Sequence, residues 1–174
     1  MTSITTSAAH RTSPALFLTL TIAAAVTAAL AASLSARFAL PVWAMFIGWV
    51  AFFTRGLTAR DAAVNAACVL LGLGFGIAAT LALKALTPSL GAFALPLVVF
   101  TVAVVVVSLR ALPVLSNVVS YFLGLIAFFA SHLQPTLASF AELAGAVVLG
   151  SVAAWTAHAA QHRIQQAPTF AHCV

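Results

Sequence analysis

A chain of 174 residues that is 64% hydrophobic and 5% charged, with a mean hydropathy of +1.18, cannot clothe itself in a polar surface. Ordinary soluble domains carry about 25% charged residues, so lipid must be the solvent for most of this exterior. The net charge of +5 comes from seven basic residues scattered singly along the chain, which excludes the basic stripe of a nucleic-acid-binding protein.

Residues 1–13, which include Arg11, precede an apolar run over 14–35. Secretory h-regions are about 7–15 residues long, so a run of this length is expected to stay in place as a first span. A shorter run over 38–54 opens near Pro41 and closes on "TRGLTARD". The third, over 61–85, is expected to end at "TPSLG" around Pro88, because proline cannot continue the helical ladder. The fourth, over 92–108, contains "VVFTVAVVVV", a composition that favours a strand in water. Open sheet edges are not tolerated in hydrocarbon, so a helix is predicted there as well. The fifth and sixth runs cover 113–130 and 135–160, and a polar tail over 161–174 follows. Runs two and five are short, and each opens at a proline, which suits the first turn of a helix.

Two phrases repeat. "GWVAFF" begins at Gly48 and "GLIAFF" at Gly124; adding 76 to the residue number superposes them, and carries Gly74 onto Gly150 and Thr80 onto Thr156. Upstream, "SARFALPV" and "SLRALPV" align at an offset of 72, about one helical turn out of step. Each unit reads as span, Arg-Leu-Pro turn, short Gly/Phe span, loop, long span. Three spans per unit is an odd number, so two copies in series must enter the membrane from opposite sides. The predicted fold is therefore all-α: a polytopic membrane protein with six transmembrane helices over 14–160, arranged as two inverted three-helix repeats (14–86 and 92–160). Arg11, Arg55, Arg60, Arg110 and Arg163 would share one side and Arg37 and Lys84 the other. The positive-inside rule then expects both termini in the cytoplasm.

Few side chains can carry chemistry. Glu142 is the one acid inside an apolar run, and an ionisable group in a membrane is a functional hypothesis by default; the alternatives are an ion pair with Lys84 or a neutral, protonated carboxyl. His132 is expected on the same side as Lys84. Asn65, Asn117 and Tyr121, with Ser116 and Ser120, place hydrogen-bonding groups in spans three and five, to line a solute path or to join helices. Gly48, Gly72, Gly76, Gly124 and Gly150 are expected to permit close helix packing; "GLGFG" lacks the strand and the Lys-Ser/Thr of a phosphate loop. His158 and His162, four apart, form either a weak metal-ligand pair or a helix-end pair favoured by the dipole. Asp61 suits the first turn of its helix. Cys68 and Cys173 have no metal-ligand or disulfide spacing. Two carboxylates and dispersed histidines furnish no triad, so no enzyme, metal or cofactor is expected.

The stretch "LPVWAMFIGWVAFF" over 40–53, Asn65 in the next span and "YFLGLIAFFA" in the second half resemble the domain of unknown function 1097 family of small bacterial inner-membrane proteins. The resemblance covers most of 40–150 and implies a six-span protein of the inner membrane; "TRGLTARD" departs from a more glycine-rich loop. It implies no activity. Repeat architecture of this kind favours a small-solute channel or transporter, with a homo-oligomer as a possible assembly and the lipid bilayer as partner. A non-transporting membrane scaffold is the alternative.

Overall fold

The computed structural model describes residues 13–166; Arg11 and Cys173 lie outside them. Each apolar run becomes a helix, giving six α-helices among the described residues: α1 (Pro14–Arg37), α2 (Val42–Phe52), α3 (Ala59–Leu90), α4 (Ala94–Ser108), α5 (Val118–Ser131) and α6 (Leu137–Gln165). Helices satisfy their own backbone groups, which is what an apolar solvent demands of so hydrophobic a chain. Helix α1, the helical stretch Ala59–Ala111 and α6 are long and apolar enough to cross a membrane. Helices α2 and α5 are apolar but short, about 16 and 21 Å at 1.5 Å per residue. Phe17, Ile22 and Leu30 on α1, and Phe100 and Val104 on α4, face outward, an exterior compatible with insertion in lipid.

Several boundaries differ from the sequence expectation. Helix α3 runs through Pro88, because in the last turn proline forfeits only the bond to the Lys84 carbonyl; Gly91, at φ 52°, makes the stop, and its N–H bonds the Thr87 carbonyl. Helix α5 begins at Val118, five residues after Pro113, because the Asn117 side chain accepts from Ser120 N–H and caps the helix there. Pro41 is the cap residue of α2 and not part of its first turn. Helix α6 continues to Gln165, into the predicted polar tail; Gln161 Nε2 donates to the Leu20 carbonyl and ties it to α1.

The core is two helix crossings of one design. At the first, α2 meets α6 through Gly48 and Gly150: a Cβ on Gly48 would strike the Val147 carbonyl, and one on Gly150 the Met45 carbonyl. At the second, α5 meets α3 through Gly124 and Gly72: a Cβ on Gly124 would strike the Val69 carbonyl, and one on Gly72 the Tyr121 carbonyl. Backbone approaches this close admit no other residue. Later residues of α6 meet later residues of α2, since Gly145 lies against Leu40 just before α2 and the His158 ring packs on that of Phe52 at its end, so these two helices run parallel. Asn65 likewise meets Asn117 and Gly76 meets Phe128, so α3 and α5 run parallel.

These contacts revise the register of the repeat. An offset of 76 holds from α2 to α5, where buried Ala44, Met45, Gly48, Ala51 and Phe52 map onto buried Ser120, Tyr121, Gly124, Ala127 and Phe128. From α3 to α6 the offset is 78. Buried Asn65, Cys68, Val69, Gly72, Leu73, Gly76 and Ala79 then map onto buried Leu143, Ala146, Val147, Gly150, Ser151, Ala154 and Ala157. The capping threonines obey the same offset: Thr58 accepts from Asp61 N–H and Thr136 from Ser139 N–H. The expected match of Gly74 with Gly150 is therefore wrong by two residues; Gly74 packs against nothing within 4 Å, and Gly72 holds the equivalent place. From Phe128 to the Thr136 cap the chain is two residues longer than from Phe52 to the Thr58 cap, because α5 extends to Ser131, and a gap-free alignment cannot register that.

Candidate functional site

The largest buried polar cluster lies where the C-terminal end of α2 meets the N-terminal ends of α3 and α5. Asn65 and Ser120 are fully buried and Asn117 nearly so. Asn117 Nδ2 donates to Asn65 Oδ1 at 2.8 Å and to Thr54 Oγ1 at 2.6 Å. Asn65 Nδ2 donates to the Phe52 carbonyl at 3.3 Å, and the Thr54 and Ser120 hydroxyls are 3.1 Å apart. Each member is placed by its helix. Asn117 caps α5, Thr54 closes the last turn of α2 by donating to the Ala51 carbonyl, and Asn65 sits on the second turn of α3. Cys68 and Tyr121 pack beside it, the Tyr121 hydroxyl donating to the Leu115 carbonyl at 3.2 Å. Among the described residues no buried side-chain polar atom lacks a partner.

A recess of about 510 Å³ lies at the same end of α3, lined by Arg55, Thr58, Arg60, Asp61, Val64, Pro113 and Val114, the chain neighbours of Thr54 and Asn65 among them but no member of the cluster itself. Asp61 is the first-turn acid of α3: its carboxylate accepts from Thr58 Oγ1 at 2.6 Å and lies 3.9 Å from Arg55 Nε, the one ion pair among the described residues. Arg55 Nη1 donates to the Val114 carbonyl at 2.7 Å, holding the non-helical segment before α5. That segment is where the four-residue difference upstream of the repeat falls. The Pro41 cap of α2 corresponds to Asn117, while the second Leu-Pro sits four residues earlier, at Leu112–Pro113. The four added residues supply the acceptors at Val114 and Leu115 and the Asn117 cap.

The offsets of 76 and 78 between buried positions supply an internal comparison. At the other crossing the residues equivalent to Asn65, Asn117, Ser120, Tyr121 and Cys68 are Leu143, Pro41, Ala44, Met45 and Ala146. The amide cluster is thus present at one crossing and replaced by apolar residues at the equivalent positions of the other, where the buried polar link is Ser151 Oγ donating to the Gly48 carbonyl.

Of the residues singled out in the sequence, the structure brings Asn65, Asn117 and Tyr121 together and leaves Glu142 and His132 apart. Glu142 is half-buried on the second turn of α6. Its equivalent on α3 is Val64, which lines the recess, so Glu142 occupies the matching place at the far end of α2, about 16 Å away. It forms no ion pair with Lys84; Lys84 Nζ donates to Gln134 Oε1 at 3.2 Å. His132 is exposed and closes α5 in the left-handed region, with φ 53° and ψ 17°, a capping role usually left to glycine. The His158 ring packs 5.9 Å from that of Phe52, and among the described residues no three potential ligands gather to hold a metal. Gly48, Gly72, Gly124 and Gly150 sit at the crossings described above, and Gly76 abuts Phe128. Sequence reasoning passes over Thr54 and Arg55: Thr54 only closes an apolar run, and Arg55 reads as a topological charge. The four-residue offset beside Asn117 is the signal that marks them.

Neither a curated protein nor a solved structure matches the chain. The family model described as "Protein of unknown function (DUF1097)" matches residues 18–158, and with its paired Gly/Phe crossings lying inside that range, the chain belongs to this family.

Proposed function

We propose that the protein is a small-solute channel or transporter of the bacterial inner membrane, with six spans in two inverted three-helix units and both termini in the cytoplasm. Parallel pairing of α2 with α6 and of α5 with α3 supports inversion. Helix α2 turns back directly into α3 at Asn65, so α2 and its equivalent α5 run in opposite directions. The short lengths of α2 and α5 support a path between them. At about 16 and 21 Å they are shorter than the about 30 Å of a hydrocarbon core, and non-helical backbone at membrane depth is tolerated only against protein or a water-filled cavity. The path proposed starts at the Arg55–Asp61 recess, passes the Asn65–Asn117 cluster and leaves beside Glu142. The neutral amide and hydroxyl groups of that cluster suit a small polar solute, and nothing in the site assembles a nucleophile with a base.

The observation that carries this reading is the cluster's presence at only one of two equivalent crossings. Proteoliposome flux of a panel of small neutral and anionic solutes, for wild type, Asn65→Leu and Glu142→Gln, tests it. Loss of flux in both folded variants is expected. Folded wild type that moves none of the panel, or variants as active as wild type, would reject the path.

A second reading has its own support. Asn65 and Asn117 also satisfy backbone groups at the ends of the two short helices, as a non-transporting scaffold would need. On that reading Asn65→Leu lowers thermal stability and wild type carries no flux.

A further inference from the structure

We propose that the groove between α4 and α5 is a binding site for one anionic phospholipid, with an acyl chain in the groove and the phosphate at Lys84. The groove encloses about 410 Å³ and is lined by hydrocarbon alone, with Leu95, Val99 and Ala103 on one wall, Phe122 and Phe129 on the other and Ala79 of α3 on its floor. Helix α4 is the reason it exists: α4 packs on α3 with Val98 and Val106 buried, meets α5 at the cluster of Val106 with Tyr121 and Leu125, and stands apart from α5 towards Leu95.

Two features select the occupant. From Leu95 to Ala103 the groove extends about 12 Å at 1.5 Å per residue, close to the depth of one hydrocarbon leaflet, half of about 30 Å. Its Leu83–Ala130 end lies beneath Lys84, the chain's sole lysine, which is exposed and held over the end of α5 by its bond to Gln134. Lys84 stands 25 residues, about 37 Å, along α3 from Ala59, which puts it at a membrane surface when the recess end is at the other. A cation above a dry slot of one leaflet's depth complements a phosphate ester on a single chain pair, and no acid pairs with Lys84 among the described residues. A zwitterionic phosphatidylcholine would fill the slot with the same phosphate, but its choline cation beside Lys84 offsets the attraction. The site does not depend on transport.

The experiment is native mass spectrometry of the full chain in detergent, titrated with dioleoyl phosphatidylglycerol or dioleoyl phosphatidylcholine. Lys84→Gln removes the charge and Ala103→Phe fills the slot; circular dichroism reports whether each remains helical. Wild type is expected to retain one phosphatidylglycerol about fivefold more tightly than phosphatidylcholine, the preference of about 1 kcal/mol that one interfacial lysine gives. Lys84→Gln should erase that preference, and Ala103→Phe should weaken both lipids. Equal retention of the two lipids by wild type, or an unchanged preference in Lys84→Gln, would overturn the proposal. Displacement of the lipid by millimolar inorganic phosphate would also overturn it, by making the site one for a free anion.

Discussion

Asn117 Nδ2 stands 2.8 Å from Asn65 Oδ1 and joins α5 to α3 across 52 residues of sequence, while the equivalent pair at the other crossing is Pro41 and Leu143. Similar Gly-mediated packing is therefore used at both crossings, with the paired amides at one of them. The bond's strength can be measured directly. In membrane proteins such links average about 0.6 kcal/mol and reach about 1.7. Asn65→Leu, which installs the counterpart residue, is expected to destabilise by about 1 kcal/mol in detergent unfolding. A double-mutant cycle with Asn117→Ala should give a coupling of about 0.5–1.5 kcal/mol, and zero coupling would mean that the two amides act independently.

The repeat register can be read from glycines two residues apart. Gly72→Ala drives a methyl group into the Tyr121 carbonyl, with backbone on both sides and no room to yield; a loss of about 2 kcal/mol or more is expected. Gly74→Ala meets nothing within 4 Å and should be neutral or stabilising by up to about 1 kcal/mol, the helix-propensity gain. Equal losses at the two positions would restore the register in which Gly74 matches Gly150.

His132 should respond as a cap. At φ 53° it sits in the left-handed region that glycine adopts without penalty. His132→Gly is expected to raise the unfolding free energy by about 0.5–1 kcal/mol with solute flux unchanged, whereas His132→Val should lower it. Flux abolished by His132→Gly in a stable protein would instead make the imidazole part of the path.

Glu142 occupies the α6 position equivalent to Val64, without an ion-pair partner among the described residues. Replacing its carboxyl by an amide should therefore cost little stability: Glu142→Gln is expected to unfold within about 1 kcal/mol of wild type while losing most of the proteoliposome flux. A large loss of stability would assign the carboxylate a structural role.

Topology follows from the same helix directions. Reporters inserted at Gly91, in the turn between α3 and α4, and fused at the C-terminus should report opposite sides of the membrane. Signals from one side would remove the inverted arrangement.

The six helices and their apolar character were legible because hydropathy, proline and charge act within a few residues of one another. The 40–53 stretch and its echo at Gly124 likewise marked the two short Gly/Phe helices, α2 and α5. Tertiary structure alone decided the rest. The start of α5 depends on an Asn117 side chain that could equally have pointed to solvent, and the end of α3 on whether Pro88 falls in a last turn. The offset of 78 between α3 and α6 emerges only when Gly72 meets Gly124 as Gly150 meets Gly48, although the paired caps Thr58 and Thr136 hold that offset in plain view. Asn65 and Asn117, separated by 52 residues, carry no mark of partnership in the sequence, and Glu142 carries none of its distance from them. Burial in lipid is a property of each segment's own composition, whereas a hydrogen bond across two helices belongs to the pair and exists only once packing has brought both to the same place.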